Sequence, residues 1–187
     1  MLLENYRQLV GRVDALCRRI EAAHGQHLAC RKGCDSCCRH LSLFRVEGVA
    51  LARFLADQDP LLLEKIRERA RNARPDGPCP LLEDGTCLLY AARPMICRTH
   101  GLPLMFSEGE GRRVDFCPQN FQGIASLPAS AVVDLDLLNA TLGTINELFV
   151  AEAFQGTPPA RERVSIAEAL LLHGEEKRSG NSLFGDK

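Results

Sequence analysis

Four of the chain's nine cysteines fall in one short stretch, Cys30-Arg31-Lys32-Gly33-Cys34-Asp35-Ser36-Cys37-Cys38-Arg39-His40, a C-x3-C-x2-C-C pattern. Thiols this dense pair as disulfides or hold metal. Thiolates bind zinc tetrahedrally or anchor iron–sulfur clusters, and both uses need ligands two to four residues apart on a turn so that the sulfurs converge. Cys30, Cys34 and Cys37 meet that requirement alone. Cys38 fits the same centre poorly, because adjacent side chains diverge along a strand or a helix. The Cys37-Cys38 pair therefore points to two neighbouring centres or to one polynuclear cluster, and spacing does not choose between them.

Four further cysteines, Cys79, Cys87, Cys97 and Cys117, lie in a Pro- and Gly-rich segment from Pro75 to Pro118. The ninth, Cys17, lies beside Leu16 and one turn from Val10 and Val13, where a small core thiol is the expected role. Setting it aside leaves eight, a number that suits two four-cysteine sites, although which distant cysteine would join which centre cannot be read from spacing. Arg31, Lys32 and Arg39 flank the first group, and Arg93 and Arg98 flank Cys97. Cations there would offset the charge of clustered thiolates. His40 and His100 could each replace a thiol as ligand, though nothing requires a histidine where eight thiols are at hand. Cys79-Pro80 and Cys117-Pro118 echo the Cys-Pro that ends a ferredoxin run.

Composition narrows the function classes. With a formal net charge of −1 and no tryptophan, the 187-residue chain lacks both the basic surplus and the aromatic platform of a nucleic-acid binder. Met1-Leu2-Leu3-Glu4-Asn5-Tyr6-Arg7 has no basic n-region leading into an apolar run, and no apolar window is long enough to span a bilayer. The expectation is a cytoplasmic protein with no membrane or nucleic-acid partner, whose thiols stay reduced and serve metal rather than a disulfide scaffold.

The elements that must position the thiols are mostly helical. Leu2, Tyr6, Leu9, Val13, Leu16 and Ile20 alternate steps of four and three, an amphipathic helix with Arg7, Arg12, Arg18, Arg19 and Glu21 facing water. Val46, Val49, Ala50 and Phe54 predict a second helix, from Val46 to about Asp57. Asp59-Pro60 reads as N-cap and first position of a third, running to about Ala73. Leu62, Ile66 and Ala70 form its buried stripe, while Glu64, Lys65, Arg67, Glu68, Arg69 and Arg71 form a solvated face. Asp84-Gly85 signals a hairpin, and Ser107 to Gly111 a second one between Leu104-Met105-Phe106 and Val114-Asp115-Phe116. Asp134 is the expected N-cap of a helix through Leu135, Leu138, Leu142, Ile145 and Phe149, the packing partner of the first. Ser165 and Glu168 form a capping box opening a last helix, Ile166 to His173. Hairpins so small have little core of their own, a deficit that bound metal would make good.

The cluster Cys30-x3-Cys34-x2-Cys37-Cys38, followed by Pro78-Cys79-Pro80-Leu81-Leu82 and then by Gly85-Thr86-Cys87-Leu88-Leu89-Tyr90-Ala91-Ala92-Arg93-Pro94-Met95-Ile96-Cys97-Arg98, resembles the YkgJ-type cysteine cluster family. This is the CxxCxxCC, zinc- or iron-chelating, domain. The resemblance covers roughly Cys30 to Cys117 and implies a metal-ligand set of Cys30, Cys34, Cys37, Cys38, Cys79, Cys87, Cys97 and Cys117. The first spacing departs from it, with three residues where the name-giving motif has two. Larger relatives include flagellin lysine N-methylases, so the resemblance admits methyl transfer as an alternative, although no extra domain for a protein substrate is evident here. C-x3-C-x2-C is also the spacing of radical S-adenosylmethionine enzymes, but here it follows a helix and no β/α alternation succeeds it.

The expected fold is thus mainly α with small β-hairpins. It is a single metal-stabilised, cysteine-rich helical domain over residues 1–173, with a flexible tail over 174–187. The expected function is metal binding by eight cysteines that hold an iron–sulfur cluster, zinc or both. The adjacent pair inclines the choice to iron–sulfur. The alternatives are a structural zinc-binding interaction module with a protein partner, and an iron–sulfur-dependent methyltransferase or redox protein.

Overall fold

The computed structural model describes residues 3–31, 33–155 and 159–176, with side chains in the last stretch as far as Leu172. Leu2, Lys32 and most of the expected tail, 177–187, lie outside the described residues.

Helix α1 spans Glu4–His24 and buries Tyr6, Leu9, Val13, Cys17 and Ile20. Each such apolar side chain contributes about 1.5–3 kcal/mol relative to exposure. Cys17, not Leu16, occupies the buried seam, and Leu16 packs at its edge. After the cysteine stretch, β1 (Ser42–Phe44) leads directly into α2 (Arg45–Ala56), and α3 (Pro60–Arg71) follows. Asp59 caps α3 as its sequence predicts, its carboxylate accepting from Leu61 N at 2.9 Å and Leu62 N at 3.4 Å. Helix α3 ends two residues before the expected Ala73, at Arg71.

Among the described residues there are three small sheets, two of them built on hairpin turns. Strands β2 (Leu82–Glu83) and β3 (Thr86–Cys87) pair antiparallel across Asp84-Gly85. Both turn residues have positive φ (46° and 69°), as a two-residue type I′ turn requires. After the short helix α4 (Met95–Thr99), β4 (Leu104–Glu108) and β5 (Gly111–Asp115) form the second expected hairpin. The sequence reading did not contain β6 (Val133–Asp134), which adds to β4 in parallel, nor β7 (Arg163–Ser165), which pairs with β1. Both extra strands are two or three residues long and draw their order from long-range pairing, so they leave no local alternation to read.

Helix α5 spans Leu135–Ala153, with Asp134 accepting from Leu137 N at 2.9 Å. Helix α6 spans Ile166–Glu176, three residues past the expected end. Its capping box is reciprocal: Ser165 N donates to Glu168 at 2.6 Å and Glu168 N donates to Ser165 Oγ at 3.1 Å.

Two apolar clusters result. One joins α1, α5 and β6 with Val46 and Val49 of α2; the other joins α3 and α6 with Leu51 and Leu55 of α2 and with Leu81 and Leu89. Helix α2 therefore stands between them and is buried on more of its circumference than a single stripe allows, with Ala50 and Phe54 only half-buried. That corrects the expected stripe, because two cores claim two faces. Of the face expected to be solvated on α3, Glu64, Lys65, Glu68 and Arg71 are exposed, while Arg67 and Arg69 are half-buried. Lys65 pairs with Glu83 at 2.6 Å, and Arg69 donates to the carbonyls of Pro80, at 2.8 Å, and Leu82. These side chains fasten the first hairpin to α3. Among the described residues no helix is long and apolar enough to cross a membrane.

Candidate metal centre

Successive turns shape the first cysteine stretch. Cys34 N donates to Arg31 O at 2.9 Å, and Cys38 N donates to Asp35 O at 2.8 Å. Chain 38–40 then pairs with chain 77–79: Cys79 N donates to Cys38 O at 3.1 Å, His40 N to Gly77 O at 3.3 Å, and Arg39 bridges Pro78. This ladder sets Cys79 against Cys38. Leu82 N returns to Cys79 O at 2.9 Å, and β3 brings Cys87 opposite Leu82. The hairpin tip lies on the first loop, since a Cβ at Gly85 would stand 3.0 Å from Gly33 Cα. Only glycines permit that approach.

Cys97 comes from α4, and two buried groups fix that helix. Glu47 of α2 accepts from Met95 N at 2.9 Å and from Phe44 N at 3.0 Å. Arg98 reaches both carboxylate oxygens of Asp14 on α1, at 2.7 and 2.8 Å, and donates to the carbonyls of Arg93 and Ala91. Its charge is thus committed to Asp14. Arg93 is the cation that eases ionisation of Cys87 and Cys97. Arg31, Arg39, Arg93 and Arg98 all border the cysteine cavity, whereas Lys32 lies outside the described residues.

Cys117 follows β5. Its N–H donates to Gly101 O at 3.3 Å, and Asn120 N donates to Cys117 O at 2.8 Å. Asn120 is 1% exposed and ties this corner to the first loop. Its Oδ1 accepts from Ala29 N at 2.8 Å, and its Nδ2 donates to Gly101 O at 2.7 Å and to Cys30 Sγ at 3.4 Å. Gly101 has φ +87°, and a Cβ there would meet Cys30 Sγ at 3.1 Å and the Cys117 Cβ at 3.5 Å.

Seven of the eight candidate thiols, all but Cys117, line one cavity of about 610 Å³. Its apolar walls come from both cores, with Leu28 and Leu102 on one side and Leu41, Leu81 and Ile166 on the other. The cavity therefore sits at the join of the two clusters. The thiols ring a space rather than a point: among the described residues no three His, Cys, Asp or Glu side chains converge tightly enough to hold one ion. All nine cysteines are free thiols.

Crowding shows in their acidity. Burial, then the neighbouring thiols Cys79, Cys87 and Cys38, push Cys97 up to about 12. Burial, then Cys38, Cys34 and Cys30, push Cys37 up to about 11. Cys79 rises to about 11 by burial with Cys87 and Cys38, and burial leads the rise of Cys38 and Cys87. A set of thiols that oppose one another's ionisation is what a thiophilic cation relieves, taking up thiolates and releasing their protons. The donor set thus fits zinc or iron.

The remaining candidates separate cleanly. Cys17 is buried in α1, its Sγ facing Arg98 O at 3.6 Å, away from the cavity lining. His40 uses both ring nitrogens, Nδ1 on Arg74 O at 2.9 Å and Nε2 accepting from Ala167 N at 3.2 Å, so it is a structural tether and not a ligand. His100 borders the cavity and is exposed. Sequence reasoning missed Asn120 and Glu47. For Glu47 a signal existed, an acid three residues after Phe44 at the start of an apolar run. Asn120 carried none beyond its place three residues after Cys117.

Residues 29–118 match the family model named CxxCxxCC, described as "Putative zinc- or iron-chelating domain". No curated protein and no solved structure matches the chain.

Proposed function

Because residues 29–118 belong to the CxxCxxCC family, we propose that this chain is a metal-chelating protein that holds iron–sulfur through Cys30, Cys34, Cys37, Cys38, Cys79, Cys87, Cys97 and Cys117. The observation that carries this reading is the gathering of seven thiols around one cavity of about 610 Å³ by segments far apart in sequence. A space of that size accommodates more than a bare ion. Iron–sulfur centres supply one-electron chemistry when bound. The chain's own part is to fix and surround the donors. The 38–40/77–79 ladder aligns Cys38 with Cys79, Glu47 anchors the helix bearing Cys97, and the Asn120 amide hydrogen-bonds Cys30. Arg93 at the rim offsets thiolate charge, and the leucines of both cores keep the site dry on its inner side. Free thiols in such number suit a reducing compartment, the cytoplasm.

A zinc reading has its own support, the first hairpin. Strands β2 and β3 have two residues each, and Cys79 and Cys87 pack at the edge of the second core. Zinc would then act as the missing core. Metal analysis with a visible spectrum on anaerobically isolated protein separates the two. Iron with acid-labile sulfide and a brown colour bleached by dithionite supports the first reading. Colourless protein with stoichiometric zinc supports the second, and the absence of both metals contradicts chelation.

A further inference from the structure

We propose that the outer edge of β5 is a self-association surface, on which a second copy of this chain pairs antiparallel about a two-fold axis at Val114.

The β4–β5 hairpin settles which backbone groups are free. Glu108 and Gly111 close a two-residue loop, with Gly109 at φ 60°, as a type II′ turn asks of its first central residue. They are therefore a hydrogen-bonded pair, as are Phe106 with Arg113 and Leu104 with Asp115 further along. Arg112 and Val114 lie between these rungs and direct their N–H and C=O groups away from β4. The far edge of β4 is already covered, because Pro103 O accepts from Val133 N at 2.8 Å and Asp136 accepts from Ser107 N at 2.9 Å. The outer edge of β5 is not. All five of its residues are exposed, Val114 at 40%, and among the described residues no backbone bond outside the hairpin reaches Arg112 or Val114.

An unpaired edge is a template for another strand, and charges along it ordinarily discourage the pairing. Here they select a register instead. Residues directing their groups outward must meet others that do the same, so a two-fold ladder can be centred on Arg112, Arg113, Val114 or Asp115. Three of these centres set an arginine or an aspartate opposite its own copy, which destabilises a strand pair. The fourth sets Val114 against the partner's Val114 and Arg113 against the partner's Asp115, twice by symmetry. Arg113 bonds Glu108 at 2.6 Å within its own hairpin, and its five-donor guanidinium can serve a second carboxylate beside it. Two strands of five residues make a small interface, hence a dimer that depends on concentration. Cys117 follows Asp115 by two residues, so the interface adjoins the corner that carries Cys117 in each copy.

Sedimentation velocity of the full chain, kept reduced so that no intermolecular disulfide forms, tests this. From about 1 μM to about 1 mM wild type should pass from the mass of one chain toward that of two. Val114→Pro removes an N–H that β4 does not use, a loss an edge strand tolerates, while it deletes the rungs at the two-fold axis. It should remain one chain throughout, with unchanged circular dichroism. Arg113→Asp sets the new carboxylate against the partner's Asp115, and Asp115→Arg sets the new guanidinium against the partner's Arg113. Each alone should weaken association by about tenfold or more. Mixed in equal amounts, the two variants again place a cation opposite an anion in every pair and should associate as wild type does. Should Val114→Pro alter the fold, the charge variants and their mixture decide alone. Wild type that stays one chain at every concentration, association untouched by a folded Val114→Pro, or a mixture no tighter than its components would each overturn the inference.

Discussion

Replacing Asn120 by alanine tests how the second cysteine corner is held. The side chain is 1% exposed and makes two short bonds, from Ala29 N at 2.8 Å and to Gly101 O at 2.7 Å, besides the contact with Cys30. Truncation strands a half-buried backbone N–H at Ala29 and a buried carbonyl at Gly101, at about 1–3 kcal/mol for each unsatisfied group. A water admitted to the vacated space would recover part of that, so the expected loss is about 2–5 kcal/mol. Against a total of about 5–15 kcal/mol this is large. For a chain of this length it lowers Tm by roughly 5–15 °C. The assay is urea and thermal unfolding of the metal-free, reduced protein, which excludes any contribution from bound metal. Asn120→Asp keeps the acceptor for Ala29 N–H but turns the donor into a second oxygen facing Gly101 O and Cys30. It should be no more stable than the alanine variant near neutral pH. A change of less than about 0.5 kcal/mol in Asn120→Ala, the range of an ordinary surface substitution, would refute the assigned role.

Gly101→Ala should lose about 2–4 kcal/mol, because φ of +87° is strained for an L side chain and the added methyl would press on Cys30 Sγ at 3.1 Å. Unfolding midpoints equal to wild type would contradict the close packing. Cys17→Ser should retain the full metal content and lose only about 1 kcal/mol, since its thiol belongs to α1's buried face; reduced metal in a folded variant would show that Cys17 is a ligand. Burial holds the Glu47 carboxyl above its ordinary value of 4.5, opposed by the Met95 and Phe44 N–H donors. As pH rises past 4.5 the unfolded chain ionises first while native Glu47 keeps its proton, so this contribution to stability is full below that value and declines above it. Glu47→Gln cannot ionise. The stability difference should therefore shift in the variant's favour as pH climbs from 4.5 toward neutrality, and urea unfolding of the metal-free protein showing a pH-independent difference would oppose it.

Helices α1, α2, α3, α5 and α6 were legible because each carries a local signal, an apolar period or a cap such as Asp59, Asp134 or Ser165, whereas the five-residue α4 is too short to show a period and was not foreseen. The hairpins were legible because Asp84-Gly85 and the turn at Gly109 are dictated by their own backbone angles. What the sequence could not show are the meetings of distant chain. The β1–β7 pair, the approach of Cys117 to Cys30 through Gly101, and the Asn120 bonds to Ala29 and Cys30 all depend on contacts about 90 to 120 residues apart. Arg98 was misjudged for the same reason, because Asp14, which takes its charge, lies a helix away. His40 looked like a spare ligand until both its nitrogens were found on backbone partners. The family resemblance over the cysteine segment is reproduced by the match to residues 29–118, and the separation of Cys17 from the other eight follows its burial in α1.

The central claim is that eight thiols hold metal. Its most direct measurement is the metal content of anaerobically isolated protein, paired with a count of alkylatable thiols before and after metal removal under native conditions. The account predicts bound zinc or iron and eight thiols that become reactive when it is removed, with Cys17 shielded by the fold throughout. Metal-free protein under reducing conditions, or metal that stays bound after all eight thiols have been alkylated, would contradict it.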